Sequence, residues 1–219
     1  MGDNEAVAGA PAANVVEIRT VDQLVALVGE PGERARNKGR PALLDVDRAW
    51  LAASPFVMIA TADAEGNCDN SPKGDPPGQL VHVIDDRTIA IAERPGNKRV
   101  DGYRNILANP HVGLNFFIPG RGDTLRINGR ARLLSDAPYF DALVVKGKRP
   151  ILVLEVAIDD IFFHCAKAFL RSRLWDPQTW DPEATVPRRA VIAHQIEPDG
   201  RSVEEFDRYY GQLYEETLY

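Results

Sequence analysis

Lys98 and Arg99 follow a Pro-Gly break in the stretch ERPGNKRVDGYRN (93–105), at the point where a helix pattern begins. The first turn of a helix is its positive end, so cations there have the wrong sign, by roughly 0.3–1 kcal/mol each. With Asn97 as N-cap, the free N–H groups of that turn and the two cations would make a site for a doubly charged phosphate. A bound anion would reverse the sign of the problem, because charge-assisted hydrogen bonds are stronger than neutral ones. Side chains extending into water are the simpler alternative.

The pattern recurs in FFHCAKAFLRSRLW (162–175), which passes from strand to helix with His164 and Lys167 near the junction. Lys167 and Arg171 are four apart, and Trp175 continues the stripe at the next step, giving two cations and an indole on one face. The alternative is an amphipathic helix with a solvated basic face. In TLRINGRARLL (124–134), Thr124, Arg126, Asn128, Arg130 and Arg132 alternate with apolar or small residues, so period two gathers three arginines on one face. Gly129 on the opposite face predicts a close approach of ligand or backbone. The segment NSPKGDPPGQ (70–79) sets Ser71, Pro72, Lys73 and Gly74 in a loop rich in Pro and Gly.

Other chemistries find less support. No serine lies in a G-x-S-x-G elbow. His164 and Cys165 would point to opposite faces of a strand, and a buried Cys165 is expected. His82, His111, His164 and His194 have no metal-ligand spacing, so no metal site is expected. The dinucleotide fingerprint and the Walker loop are both missing. No residue is singled out as a catalytic acid or base.

The 219 residues suit one domain with a substantial core. A net charge of −6 disfavours a nucleic-acid partner. The longest apolar run, ILVLEVAI (151–158), is short for a bilayer and contains Glu155, so no membrane partner is expected. Two distant cysteines and an N-terminus without a secretory pattern suggest a cytoplasmic protein.

Residues 1–13 read as a disordered tail, and 14–219 as a single domain: a helical lead-in (14–54), barrel strands with two helices (55–165), and a helical and loop part (166–219). Thr20 and Gln23 stand in capping-box register at the start of a short helix, and a second helix is expected over 45–54. Strands are expected at 56–63, through CDNSPKG, at 80–85, 88–93, 112–120, 124–136 and 150–163, the last bulged near Asp159-Asp160. Helices are expected at RVDGYRNILANP, PYFDALVVKG, AKAFLRSRLW and the C-terminus. In the first of these, Val100, Tyr103, Ile106 and Leu107 share a face. Hairpin-linked strands with few helices predict a mainly β fold, an antiparallel barrel with flanking helices.

In that order, SPFVMIATADAEGNCDNSPKGDPPG, DDRTIAIAERPGNKRVDGYRNILANPHVGLNFFIPG, TLRINGRARL and HCAKAFLRSRLW resemble the pyridoxamine 5′-phosphate oxidase-like proteins, and within them the subgroup of FMN-dependent enzymes. The resemblance spans roughly residues 50–175. It implies an antiparallel split β-barrel, the FMN-binding split barrel, and a homodimer with FMN at the subunit interface. It further implies that Gly96, Asn97, Lys98 and Arg99 hold the flavin phosphate, and that Ser71, Pro72, Lys73 and Gly74 run along the ring or ribityl chain. Lys167, Arg171 and Trp175 of the partner subunit would close the cleft, and Arg126 is a further cofactor-binding candidate. The chain departs from true pyridoxamine phosphate oxidases in its ending, YGQLYEETLY, which lacks their Arg-x-x-Arg-Leu-x-Pro type. Vitamin B6 oxidation therefore does not carry over.

The expected function is an FMN-binding oxidoreductase moving hydride or electrons between a small-molecule substrate and an electron donor or acceptor. Alternatives are a flavin carrier or redox sensor without turnover, or a deazaflavin- or heme-binding protein of the same fold.

Overall fold

A computed structural model describes residues 15–197, 200–216 and 218; the expected tail at 1–13 lies outside them. The chain forms two compact units, up to Asn37 and from Lys38 onward. The first holds helices α1 (Val21–Val28) and α2 (Glu33–Arg36). Thr20 caps α1, and Gln23 returns the bond in the expected capping box.

The second unit opens with α3 (Asp45–Ala53), followed by strands β1 (Phe56–Ala62), β2 (Cys68–Gly74), β3 (Val81–Asp85) and β4 (Thr88–Ala92). Helix α4 (Asp101–Ala108) leads to β5 (His111–Phe117), β6 (Thr124–Leu134) and β7 (Val153–His164). Then come α5 (Lys167–Ser172), α6 (Pro182–Thr185), α7 (Arg189–Ile196), α8 (Val203–Tyr210) and α9 (Gln212–Glu216). α7 falls in a segment with no helix signal beforehand, and Gly211 divides the expected C-terminal helix in two. The expected helix over PYFDALVVKG is one 3-10 turn, Phe140–Leu143.

All seven strands form one antiparallel sheet in the order β2-β1-β5-β6-β7-β4-β3. This corrects the expected split barrel: β2 and β3 are free edges and the sheet does not close. Pro72 deprives β2 of one donor, and the β2–β3 connection contains Pro76-Pro77. Lys73 of β2 reaches Glu93, just after β4, by a side-chain ion pair. The core lies on the inner face, with Val57, Ile59, Leu114, Phe116, Leu125, Ile127, Val156 and Ile161 buried. The register of β6 against β7 shifts opposite Asp159, as expected for a bulge there. The close approach anticipated at Gly129 is to backbone: a Cβ would lie 2.2 Å from the Ala157 carbonyl oxygen.

Asp47, fully buried on α3, accepts from both terminal nitrogens of Arg40 at 2.6 and 2.9 Å and from the Leu44 N–H at 2.8 Å. Backbone bonds between Arg40 and Ile161 tie that cluster to β7. It anchors the start of the unit to the sheet that carries the site.

Candidate functional site

A cleft of about 530 Å³ opens between β2 and the segment that follows β4. One wall is Asp69–Asp75 and the other Ala92–Arg99, so Ser71, Pro72, Lys73 and Gly74 meet Gly96, Asn97, Lys98 and Arg99 across a single opening. The volume lies in the usual range for small-molecule sites, about 300–1,000 Å³.

Strand periodicity sorts the β2 residues. Asp69, Ser71 and Lys73 alternate with the more exposed Asn70, Pro72 and Gly74, so the ammonium group and the pyrrolidine ring face opposite ways. Lys73 is on the strand expected through CDNSPKG, paired with Val57, and not in the loop read at 70–79. Its Nζ lies 2.5 Å from Glu93 Oε2 and 4.9 Å from the centre of the Tyr103 ring. Tyr103 donates its hydroxyl to the same Glu93 oxygen. Burial, reinforced by that bond and by the carboxylate's charge, pushes the Tyr103 phenol far above its ordinary range, so it stays protonated.

Arg94 makes the second link across the cleft. Its Nε donates to Asp75 Oδ2 at 2.8 Å and its Nη1 to the Leu143 carbonyl at 3.0 Å. Nη2 is buried with no hydrogen-bond partner.

The helix start differs from expectation. α4 begins at Asp101 with Val100 as N-cap, so Lys98 and Arg99 precede the helix and its first turn carries an acid of the right sign. Asn97 is no N-cap: its Oδ1 accepts from the Arg99 N–H two residues on, an Asx turn. Lys98 has φ +61°, a left-handed conformation that a non-glycine residue adopts at a cost. Arg99 pairs with Asp101, whereas Lys98 makes no ion pair among the described residues. Of the expected apolar face of α4, Tyr103 and Ile106 are buried and Leu107 is exposed. The buried Asn105 instead donates to Thr61 Oγ1 at 3.1 Å and Asp69 Oδ2 at 2.9 Å, holding α4 against β1 and β2.

The remaining sequence candidates lie elsewhere in the protomer. Arg126 is on β6, its guanidinium 5.5 Å from the Phe162 ring centre and its Nε donating to Asn128 Oδ1 at 3.2 Å. Lys167 and Arg171 are exposed on α5, which ends at Ser172 with Arg173 left-handed. Trp175 therefore does not continue their stripe; it stacks on Phe169 and donates to the Arg121 carbonyl at 2.7 Å. Cys165 is exposed, not buried as expected.

Asp75, Glu93, Arg94, Asp101, Tyr103 and Tyr214 belong to the cleft or its support without having been singled out. Glu93 and Arg94 open the stretch 93–105, but their partners are 10 to 49 residues away. Tyr214 reaches the rim from α9, its ring centre 5.9 Å from Tyr209 and 5.6 Å from Tyr210.

The donor set suits a phosphorylated ligand. The carboxylates Asp75, Glu93 and Asp101 are each committed to a cation, while Lys98 is not, so the uncommitted charge at the 96–99 turn is positive. Arg94 adds a buried N–H group that lacks an acceptor.

Residues 43–165, more than half of the chain, match the family model for pyridoxamine 5′-phosphate oxidase, and the chain belongs to that family. No curated protein matches it. Among solved structures, HupZ of Group A Streptococcus is 22% identical, with a TM-score of 0.44, over 55% of this chain and 93% of that one. A Clostridium acetobutylicum protein related to general stress protein 26 of B. subtilis is 15% identical, with a TM-score of 0.41, over 54% and 85%. An F420 reductase is also 15% identical, with a TM-score of 0.39, over 53% and 94%.

Proposed function

We propose that this member of the pyridoxamine 5′-phosphate oxidase family binds FMN in the cleft between β2 and the 93–99 segment and acts as an oxidoreductase on a small substrate. The observation that carries the reading is the meeting of Ser71–Gly74 with Gly96–Arg99 on opposite walls of one cleft, beside a cation that no carboxylate neutralises. In this reading Lys98, Arg99 and the backbone N–H groups of the turn hold the phosphate. Lys73, oriented by Glu93 and Tyr103, places positive charge beside the ring. FMN, when bound, supplies the redox chemistry, taking up or giving a hydride at its central ring. Asp75, Glu93 and Asp101 are ion-paired and Asp69 accepts from Asn105, so the protein contributes position and electrostatics more than proton transfer. The working unit is a homodimer with FMN at the subunit interface, Lys167, Arg171 and Trp175 of one protomer reaching the other's cleft.

The visible absorbance of the purified protein, before and after adding FMN and after denaturation, tests the cofactor. Flavin bands displaced from those of free FMN are expected. A protein without chromophore whose spectrum stays unchanged through the titration would sink the reading. Tight FMN binding without oxidation of any nicotinamide or small-molecule donor would favour a flavin carrier or sensor.

Tyr214 supplies a further expectation. An aromatic ring at the rim can stack on a flat ligand, worth about 0.5–1.5 kcal/mol beyond area burial. Tyr214→Leu should weaken FMN roughly two- to tenfold and raise the fluorescence of the bound flavin. Equal affinity and equal fluorescence would remove Tyr214 from the site.

A further inference from the structure

The segment that closes the first cleft has a second side. Glu93, Arg94, Pro95, Gly96 and Lys98 also wall a separate cleft of about 530 Å³, whose opposite wall is the run Lys148–Leu152. Its lining is largely apolar, from Pro95, Val100, Pro150, Ile151 and Leu152. Ile151 is 84% exposed, so an apolar side chain stands at this opening with no cover from the protomer. An apolar surface of this kind gains free energy when a ligand removes it from water.

The charges around it are unequal. Arg149 is taken up by Asp136 at 2.6 Å and Asp141 at 2.8 Å. Arg94 is taken up by Asp75, and the acid in the lining, Glu93, by Lys73 and Tyr103. Lys98 and Lys148 make no ion pair among the described residues. What the cleft offers a ligand is therefore an apolar floor and two uncommitted ammonium groups. A bare inorganic anion would leave the floor in water, and a neutral apolar molecule would leave the ammonium groups unused.

We propose that this second cleft binds a small amphipathic carboxylate, its apolar body against Pro150, Ile151 and Leu152 and its carboxylate held by Lys98 and Lys148. The site shares Lys98 and the rest of the 93–98 wall with the proposed flavin cleft, whereas Lys148 and the apolar floor belong to it alone.

The test is calorimetric titration of the full chain with 2-naphthoate and with its neutral isostere 2-naphthamide. Saturable binding of the acid at one site per chain is expected, with the amide about tenfold weaker. Lys148 is chosen for substitution because Lys98 lines both clefts. Lys148→Gln should weaken the acid by about the same factor and leave the amide unchanged, because only the charged hydrogen bond is lost. Ile151→Asp should weaken both ligands. Lys148 is at the surface, so its substitution leaves the fold intact and keeps the test decisive. No saturable naphthoate binding, equal affinity for acid and amide, or Lys148→Gln binding like the parent would each overturn the proposal. So would a parent that binds no naphthoate and whose dimer comes apart on Ile151→Asp, since a second copy of the chain would then be what covers this face.

Discussion

Replacing Lys98 with glycine is expected to weaken FMN binding roughly 10- to 150-fold, the equivalent of one charged hydrogen bond of about 1.5–3 kcal/mol. Glycine is the right probe because Lys98 has φ +61°. Alanine would remove the charge but keep the left-handed strain, whereas glycine accepts that conformation freely. Adding Arg99→Ala should deepen the loss by less, since Arg99 is exposed and already shared with Asp101. Riboflavin, which lacks the phosphate, is the control ligand. A contact to phosphate predicts that the variant loses FMN and keeps riboflavin at parental affinity. If both ligands weaken together, the loop has been disturbed and the contact is not specific. If neither does, Lys98 does not hold the phosphate. Fluorescence titration of each flavin reads all three outcomes, and urea unfolding should show little change in stability.

The elements were legible where the signal is local. Alternating patterns in TIAIA and TLRINGRARLL fixed β4 and β6, Asp85-Asp86-Arg87 marked the hairpin between β3 and β4, and Thr20 with Gln23 marked the start of α1. The two walls of the cleft were both recognised as segments, although nothing local joins residue 73 to residue 93. The start of α4 was misread because Asn97 sends its side chain to the Arg99 N–H and so holds a turn where an N-cap was expected. A cation anomaly at a helix end thus becomes a cation-bearing loop, and the chemistry survives while its local cause changes. Closure of the sheet was not legible, because it depends on whether β2 and β3, at opposite ends of the strand order, find one another. The ion pairs Lys73–Glu93 and Asp75–Arg94 were equally hidden, each joining residues about twenty apart that have no helical or hairpin relation.

Those two pairs join β2 and the residue after it to the segment that follows β4, and the deeper one should be a principal support of the cleft. The Asp75 side chain is 2% exposed and that of Arg94 13%, so both charges lie mostly outside water. Removing one partner of such a pair strands the other, at a cost of about 3–5 kcal/mol. Asp75→Asn should therefore lower the stability by about that much, seen as a fall in the urea midpoint with an unchanged slope. Arg94 also donates to the Leu143 carbonyl, so its loss would free the 3-10 turn as well as β2. Replacing both partners, as in Asp75→Leu with Arg94→Met, removes the stranded charge and should recover much of the stability. The cleft should not recover with it, because the double variant has lost the polar bridge between its walls. Stability restored while FMN affinity stays low would assign the pair to the shape of the site. An unchanged midpoint in Asp75→Asn would mean that the open side of the sheet is held by something other than this pair.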